Sequence, residues 1–463
     1  MLEISSEIEL SISDLNVDGS AVARFCPPNL PDSPDLRKQV VFVDQGLPGE
    51  RLLARIISRK KQLYFAQKIR CLSRSPQYAE PFCPYFGSCG GCAFQNLHYS
   101  AQLVFKQQRV VQTLARIGGI KLEIPEILPA PALSGYRNKM EYAFGSSAVS
   151  ANPVLGFRRR GGQEILDIER CPLQSRESAL VLQAVRDWAA SGHLTAWEDG
   201  RGALRYLVLR EPEYCLRGLQ RSVELICGDS LPDAKNMDAL WSILAELGVT
   251  SLLFTRRLSK YNVAQGEGRV KSYGQPTLWE SFGSLLLEYP ISSFAQTNTK
   301  AAAALYAQAA EFAGLTGGET LWDIYSGAGA LALYLGGKGK SVWGVEQDRQ
   351  AVKAAVANAA RLQFRHCIFE AGDAGLLLKQ KNETPDIIVV DPPRAGLSGA
   401  VRAGIKKAAP RKIIYLSCDP ATLARDLSEL ARPSDTVYRL DKLVLADLFP
   451  HTPHVEVIAL LSR

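Results

Sequence analysis

No apolar run in the 463-residue chain approaches the ~18 residues that a membrane-spanning helix requires, so nothing in it reads as a transmembrane segment. The opening Met-Leu-Glu-Ile-Ser-Ser-Glu places acids where a secretory signal would carry basic residues and then an apolar stretch, and the expected location is cytoplasmic. Ten cysteines are too sparse in a chain of this length for a disulfide scaffold, and in a reducing compartment they read as thiols. There is no internal repeat and no low-complexity tract. With 46% hydrophobic and 22% charged residues the composition is that of a globular protein, long enough for several domains. The net charge is +7, from 54 basic and 47 acidic residues, and residues 291–463 hold 20 of the basic and 17 of the acidic ones, so the excess is diffuse. A diffuse excess permits an anionic partner without requiring one.

From Ile4 to about Arg70, short apolar runs (Ile8 to Ile12, Val40 to Val43, Leu52 to Ile57, Leu63 to Ile69) alternate with Gly, Pro and Asp clusters, which predicts about five strands in a small barrel. Residues 76–98, rich in Pro, Gly and Cys, are too irregular for helix or sheet, and a bound metal would hold them. Helical spacing marks residues 100–118, which would pack on the C-terminal domain, and 134–290 read as an α+β region with strands such as Leu204 to Leu209 and Val223 to Cys227. After Pro290 a helix over Thr299 to Phe312 leads into strands at Thr320 to Ile324, Ser341 to Val345, Cys367 to Glu370, Asp386 to Val390 and Lys412 to Leu416. Short apolar strands separated by helices imply right-handed crossovers and a parallel, doubly wound sheet. Thr436 to Leu461 breaks this alternation and is expected to form an antiparallel hairpin at the sheet edge. The predicted organisation is therefore a barrel over 1–72, an α+β metal-bearing middle domain over 73–290, and a Rossmann-like α/β domain over 291–463.

The first α/β strand runs into Asp323-Ile324-Tyr325-Ser326-Gly327-Ala328-Gly329-Ala330, with Glu346 ending the second strand 19 residues past Gly327. A glycine turn lets backbone approach a ligand and a strand-end acid can bind ribose hydroxyls, so a nucleoside cofactor is expected, with NAD and an oxidoreductase as one alternative. Two later strand ends carry Asp391-Pro392-Pro393-Arg394-Ala395-Gly396 and Ser417-Cys418-Asp419-Pro420. The prolines hold the Asp391 carboxylate at the crevice mouth, and neither feature serves hydride transfer. Cys418 precedes a predicted helix start at Pro420, where a thiol ionises more readily and becomes a nucleophile. Glu456, at the start of the final strand, could reach the same crevice as a proton acceptor. A non-catalytic RNA-binding protein, the other rival, would have no use for Cys418 with Glu456. Cys83-x5-Cys89-x2-Cys92 and then, after 78 intervening residues, Cys171 offer four thiolates that suit zinc or an iron–sulfur cluster, with no histidine to complete the set. Cysteines 26, 71, 215, 227 and 367 have no metal-like spacing. Arg158-Arg159-Arg160 reads equally as a phosphate contact or as a solvated turn, and Arg137 and Lys139 nearby favour an RNA face on the middle domain.

Asp391 to Gly396, seventeen further residues, Ile-Tyr-Leu-Ser-Cys418-Asp, and then Phe449-Pro450-His451-Thr452-Pro453-His454-Val455-Glu456 together resemble the two signatures of the RNA (uracil-5-)-methyltransferases dependent on S-adenosylmethionine. Ser293-Phe294-Ala295-Gln296-Thr297-Asn298 is similar to that family's cofactor segment, and the N-terminal barrel looks like its RNA-binding TRAM domain. The resemblance implies methylation of carbon 5 of a uridine, with Cys418 the nucleophile at carbon 6 and Glu456 the base. It also implies S-adenosylmethionine contacts at Gln296, Tyr325, Glu346, Asp373 and Asp391, while Ala330 departs from the asparagine some members carry. Cys83, Cys89, Cys92 and Cys171, the last in Arg170-Cys171-Pro172, match the ligands of a [4Fe–4S] cluster in ribosomal-RNA members. The implied partner is RNA, 23S ribosomal RNA first and transfer RNA second, with no obligate protein partner and a monomeric state.

Overall fold

The computed structural model describes residues 2–16, 18–25, 39–147, 150, 152–212, 220–431 and 438–463. Cys26 and Cys215, and the first residues of the segment expected to form the C-terminal hairpin, lie outside that set. Two compact units emerge: Met1–Phe105 with Arg159–Gly162 and Pro450–Pro453, and Lys106–Arg158 with Gln163–Phe449 and His454–Arg463.

In the first unit β1 (Glu7–Leu15), β2 (Ala21–Phe25), β3 (Gln39–Val43), β4 (Arg51–Lys60) and β5 (Leu63–Ser73) close into a barrel ordered β1-β2-β3-β5-β4. Successive residues of a strand face opposite ways, so Leu10 and Ile12, Ala21 and Ala23, Val41 and Val43, and Leu52, Ala54 and Ile56 all point inward and fill the interior. Closure leaves the barrel no open sheet edge. Helix α1 (Tyr99–Gly118) follows, and its Val110 and Leu114 are buried with the catalytic sheet of the second unit, to which both residues belong.

The second unit holds two large sheets. After β6 (Glu126–Leu128) come β7 (Lys139–Gly145), β8 (Val154–Arg158), β9 (Ile165–Asp167), α2 (Ser178–Ser191), β10 (Leu204–Arg210), β11 (Ser222–Cys227), α3 (Ala234–Glu246), β12 (Ser251–Arg256) and β13 (Gly268–Gly274). Their seven-stranded sheet is ordered β13-β12-β11-β10-β7-β8-β9. The hairpin β14 (Thr277–Phe282) and β15 (Leu285–Pro290) then contributes Phe282, Leu285, Leu287 and Tyr289 to the core of the catalytic sheet.

That sheet is built from α4 (Thr299–Ala313), β16 (Thr320–Ile324), α5 (Ala330–Gly336), β17 (Ser341–Glu346), α6 (Arg349–Arg361), β18 (Cys367–Ala371), α7 (Ala374–Gln380), β19 (Ile387–Val390), α8 (Gly399–Ala408), β20 (Lys412–Ser417), α9 (Pro420–Leu430), β21 (Arg439–Ala446) and β22 (Glu456–Ser462). Its order is β18-β17-β16-β19-β20-β22-β21-β6: parallel through β20, then an antiparallel hairpin, with β6 parallel to β21 at the edge. The fold expected from strand–helix alternation is present, and the addition of β6 is new. A three-residue strand carries too little periodicity to be read from sequence. Both faces are covered. Leu321, Ile387, Val389, Ile414 and Ile458 enter one core cluster and Trp322, Ile388, Val390, Ile413 and Val457 the other, which is why these strands read as continuous apolar runs.

Candidate active site

The pleat places the functional groups. Asp323 shares the parity of Leu321, Asp391 continues that of Val389, Cys418 that of Leu416, and Glu456 that of Ile458, so all four belong to the face covered by α4 and α5. β20 and β22 pair antiparallel with Ser417 opposite Val457, so the next residue of one, Cys418, and the preceding residue of the other, Glu456, end neighbouring strands.

Burial sets their charge. The Glu456 side chain is 5% exposed, and desolvation, with Asp391 nearby, pushes its carboxyl up to about 8 against the partial relief of Arg394. Desolvation likewise raises Asp391 to about 7. Asp323, 1% exposed, is raised to about 8 by burial and then by Asp391, with the Ala332 amide acting in the opposite direction. Asp391 thus lies close enough to raise both Asp323 and Glu456, and Arg394 opposes the shift at Glu456, an arrangement that favours a positively charged ligand.

Cys418 departs from expectation. A thiol before a helix start was expected to ionise readily, yet burial, then Glu456 and Asp391, push it up to about 11, with Arg394 acting in the opposite direction. The helix start that follows does little to offset this. Asp419 accepts from the amides of Ala421 and Thr422 at 2.8 and 3.1 Å, so the helix N-terminus is already spent on a carboxylate.

The turn bearing Asp391 and Arg394 is held from behind. Asp426 accepts from the Leu397 amide at 2.7 Å and from the Tyr415 hydroxyl at 2.7 Å, and Arg402 and Arg425 donate to the Leu397 and Ala395 carbonyls. Gly396 has φ +73°, and a Cβ there would meet Arg425 and Asp426 at 2.6 Å, so only glycine fits. At the other turn Tyr325 takes φ +72°, a strained value for a tyrosine, and the Glu346 carboxylate accepts from the Gly327 amide at 3.1 Å and the Asp348 amide at 2.9 Å. The glycine turn and the acid of the second strand are therefore locked together. Gly329, at φ +82°, sits where a Cβ would press on Ala355 and Phe369 at 3.0 Å.

Residues 375–463 match the family described as tRNA (uracil-5-)-methyltransferase, and residues 297–414 the one described as conserved hypothetical protein 95. An uncharacterised RNA methyltransferase of Nitratidesulfovibrio vulgaris is 39% identical over 470 residues, spanning 98% of this chain and 96% of that protein. The chain belongs to the RNA (uracil-5-)-methyltransferase family. It is an S-adenosylmethionine-dependent enzyme acting on RNA. A second uncharacterised RNA methyltransferase, from Halalkalibacterium halodurans, is 32% identical over 98% of the chain and 96% of its own length. Among solved structures, the tRNA (uracil-54, C5)-methyltransferase of Pyrococcus abyssi, in complex with S-adenosyl-L-homocysteine, superposes with a TM-score of 0.75 at 28% identity, over 98% of this chain and 100% of that one.

The methyltransferase's remaining expected site residues are distributed as follows. Tyr325, Glu346 and Asp391 line the strand ends of the catalytic sheet, and Gln296 is half-buried in the segment before α4. Asp373 is exposed and caps α7 through the Leu376 amide at 2.9 Å. The buried acids Asp323 and Asp391, the glycines with positive φ and the paired turn and acid fit a cationic nucleoside ligand. Asp323 has no role in the glycine motif as such, and the signal that marks it is an acid inside an apolar strand.

The cysteines behave differently. Among the described residues no three or more Cys, His, Asp or Glu side chains converge to hold a metal ion, so the four-thiolate site expected from Cys83, Cys89, Cys92 and Cys171 is not assembled. Half-buried thiols do not attract one another, and only metal–sulfur bonds would draw them together. Gln95 donates to the Cys92 sulfur at 3.3 Å and the Gly91 amide to that of Cys89 at 3.4 Å, although burial still pushes the Cys89 thiol up. Of the arginine triplet, Arg160 donates to the Cys92 carbonyl at 2.5 Å and Arg158 to Gln163, both internal partners in place of an RNA phosphate. Lys139 pairs with Glu141 at 2.8 Å, and Arg137 lies 5.8 Å above the Phe449 ring. Among the described residues no helix is long and apolar enough to cross a membrane.

Proposed function

We propose that the enzyme methylates carbon 5 of a uridine through a covalent adduct at Cys418, with Glu456 as proton acceptor. The observation that supports this is the shared pleat face on which Cys418, Glu456 and Asp391 end three neighbouring strands. Carbon 5 of uracil is a weak nucleophile, and addition of the Cys418 thiolate to carbon 6 moves the ring electrons onto carbon 5 and oxygen 4 as an enolate. S-adenosylmethionine supplies the methyl group that carbon 5 takes up. Glu456 then accepts the carbon-5 proton, the carbon 5–carbon 6 double bond re-forms, and the Cys418 thiolate leaves with its electron pair. A carboxyl near 8 is well matched to this task at neutral pH, since a base with a pKa near the working pH combines availability with driving force. Burial holds the Asp391 and Asp323 carboxyls at about 7 and about 8, and a sulfonium bound beside them would favour their charged forms. The reacting uridine has to be unstacked to reach this crevice, which favours loops of folded RNA.

The first target proposed is 23S ribosomal RNA, on the resemblance to members that carry a barrel and four cysteines. A transfer RNA is the second reading, favoured by the full-length match to a tRNA (uracil-54, C5)-methyltransferase. Labelled S-adenosylmethionine with unmodified 23S ribosomal RNA and unmodified transfer RNA separates the two. Label in neither overturns the proposal. As part of the same reading, Cys83, Cys89, Cys92 and Cys171 hold a [4Fe–4S] cluster with a structural role, supported by their spacing and by the amide donors at two sulfurs. Anaerobically purified protein should carry about four iron atoms per chain; stoichiometric zinc without iron overturns that assignment.

A further inference from the structure

The segment Ile291 to Asn298 has no secondary structure of its own and alternates buried and exposed residues, with Phe294 74% exposed and Gln296 half-buried. Its inward carbonyls are buried groups that need donors. Those donors come from the seven-stranded sheet and the residue just ahead of β7. Arg210, at the end of β10 and 4% exposed, donates through one Nη to the Ile291 carbonyl at 2.8 Å and the Ser293 carbonyl at 2.9 Å. The Asn138 amide donates to the Thr297 carbonyl at 2.9 Å, and its side-chain Nδ2 to the Gln296 carbonyl at 2.8 Å.

The same Nδ2 also reaches Glu280 at 2.6 Å and the Thr299 hydroxyl at 2.8 Å, and that hydroxyl donates to Glu280 at 2.5 Å. Glu280 is 1% exposed and supplies negative charge toward the buried Arg210. Asn138 is itself fixed. Its carbonyl accepts from the Glu211 amide at 2.7 Å, and the preceding Gly135 and Arg137 amides donate to the Pro172 and Leu173 carbonyls at 3.0 and 2.8 Å. The shape of the segment is thus imposed by a neighbouring sheet and does not come from local propensity.

We propose that Asn138, Arg210, Glu280 and Thr299 are positioning residues that mould the Ile291–Asn298 segment so that Gln296 is presented to the adenosyl cofactor. This rests on the reading of Gln296 as a cofactor contact. The middle sheet then acts on cofactor affinity without touching the cofactor, because loss of one donor leaves a buried carbonyl unsatisfied and the segment shifts to find water.

The test uses the full chain and S-adenosylhomocysteine binding by calorimetry, beside binding of unmodified RNA. Asn138→Ala should weaken S-adenosylhomocysteine roughly tenfold while RNA affinity stays within about twofold. Thr299→Val should weaken it by a similar factor and Thr299→Ser should restore it, a rescue that general loss of packing would not give. If Asn138→Ala does not fold, the Thr299 pair decides. Unchanged cofactor affinity in Asn138→Ala and Thr299→Val, with Gln296→Ala weakened, overturns the positioning role and leaves the reading of Gln296 intact. Unchanged affinity in Gln296→Ala overturns that reading and the proposal with it. Equal loss of cofactor and RNA binding, without rescue by serine, assigns these residues to folding alone and also overturns the proposal.

Discussion

Glu456→Gln should make the protein more stable at neutral and alkaline pH while removing its base. In the native protein this carboxyl titrates at about 8, because burial and Asp391 disfavour its charge. An unfolded glutamate titrates near 4.3. A raised folded value means that the native state binds a proton the unfolded chain has released, so the penalty is absent below about pH 4, grows as pH rises, and levels off above about pH 8. At 1.36 kcal/mol per pH unit the cost approaches about 4 kcal/mol at pH 7. Glutamine has the same shape and never ionises; allowing about 1 kcal/mol for an amide that has to find new partners leaves a gain of about 3 kcal/mol. Thermal unfolding of both proteins from pH 5 to pH 8.5 should show the variant's Tm gaining on wild type by several degrees across that range, at about 2 °C per kcal/mol for a unit this large. A difference in Tm that does not change with pH, or a variant less stable than wild type at pH 8, would refute the assignment of a buried, protonated Glu456.

In turnover, Glu456→Gln should accumulate methylated RNA bound covalently through Cys418, seen as a slow band on a denaturing gel carrying methyl label; an unlabelled adduct would place proton removal before methyl transfer. Cys418→Ala should abolish methylation and leave S-adenosylhomocysteine binding nearly unchanged, and residual turnover close to wild type would mean another group activates the uracil. With the Cys418 thiol pushed up to about 11, its alkylation by iodoacetamide should rise about tenfold per pH unit between pH 7 and pH 9, and a plateau below pH 8 would contradict that environment. Lys106 and Asp447, both fully buried and 2.5 Å apart, anchor the chain leading to Phe449, whose carbonyl Lys106 also binds at 3.1 Å. Lys106→Ala should therefore cost about 3–5 kcal/mol in chemical denaturation, and adding Asp447→Leu to Lys106→Met should recover most of it. A loss under about 1 kcal/mol in the single variant would show that water reaches Asp447.

Strand and helix order from Thr299 to Ser462 was legible in the amino-acid sequence, because hydrophobic period and glycine or proline punctuation are local signals. The same holds for the closeness of Asp391, Cys418 and Glu456: each ends or starts an apolar strand, and a parallel sheet gathers such ends at one edge. Their ionisation was not legible. The sequence suggested an activated thiol at a helix start, whereas Asp419 takes the helix amides and burial governs Cys418.

The raised Asp323 carboxyl likewise follows from burial and from Asp391, 68 residues away in sequence. Nor could local pattern show that Arg210 and Asn138, 81 and 159 residues before Ile291 and Thr297, supply donors to the cofactor segment. Local sequence determines which residues alternate across a strand or cap a helix, since those interactions span a few residues. Charge state and loop shape depend on which distant groups exclude water and which donate hydrogen bonds, and only the tertiary structure brings those groups together.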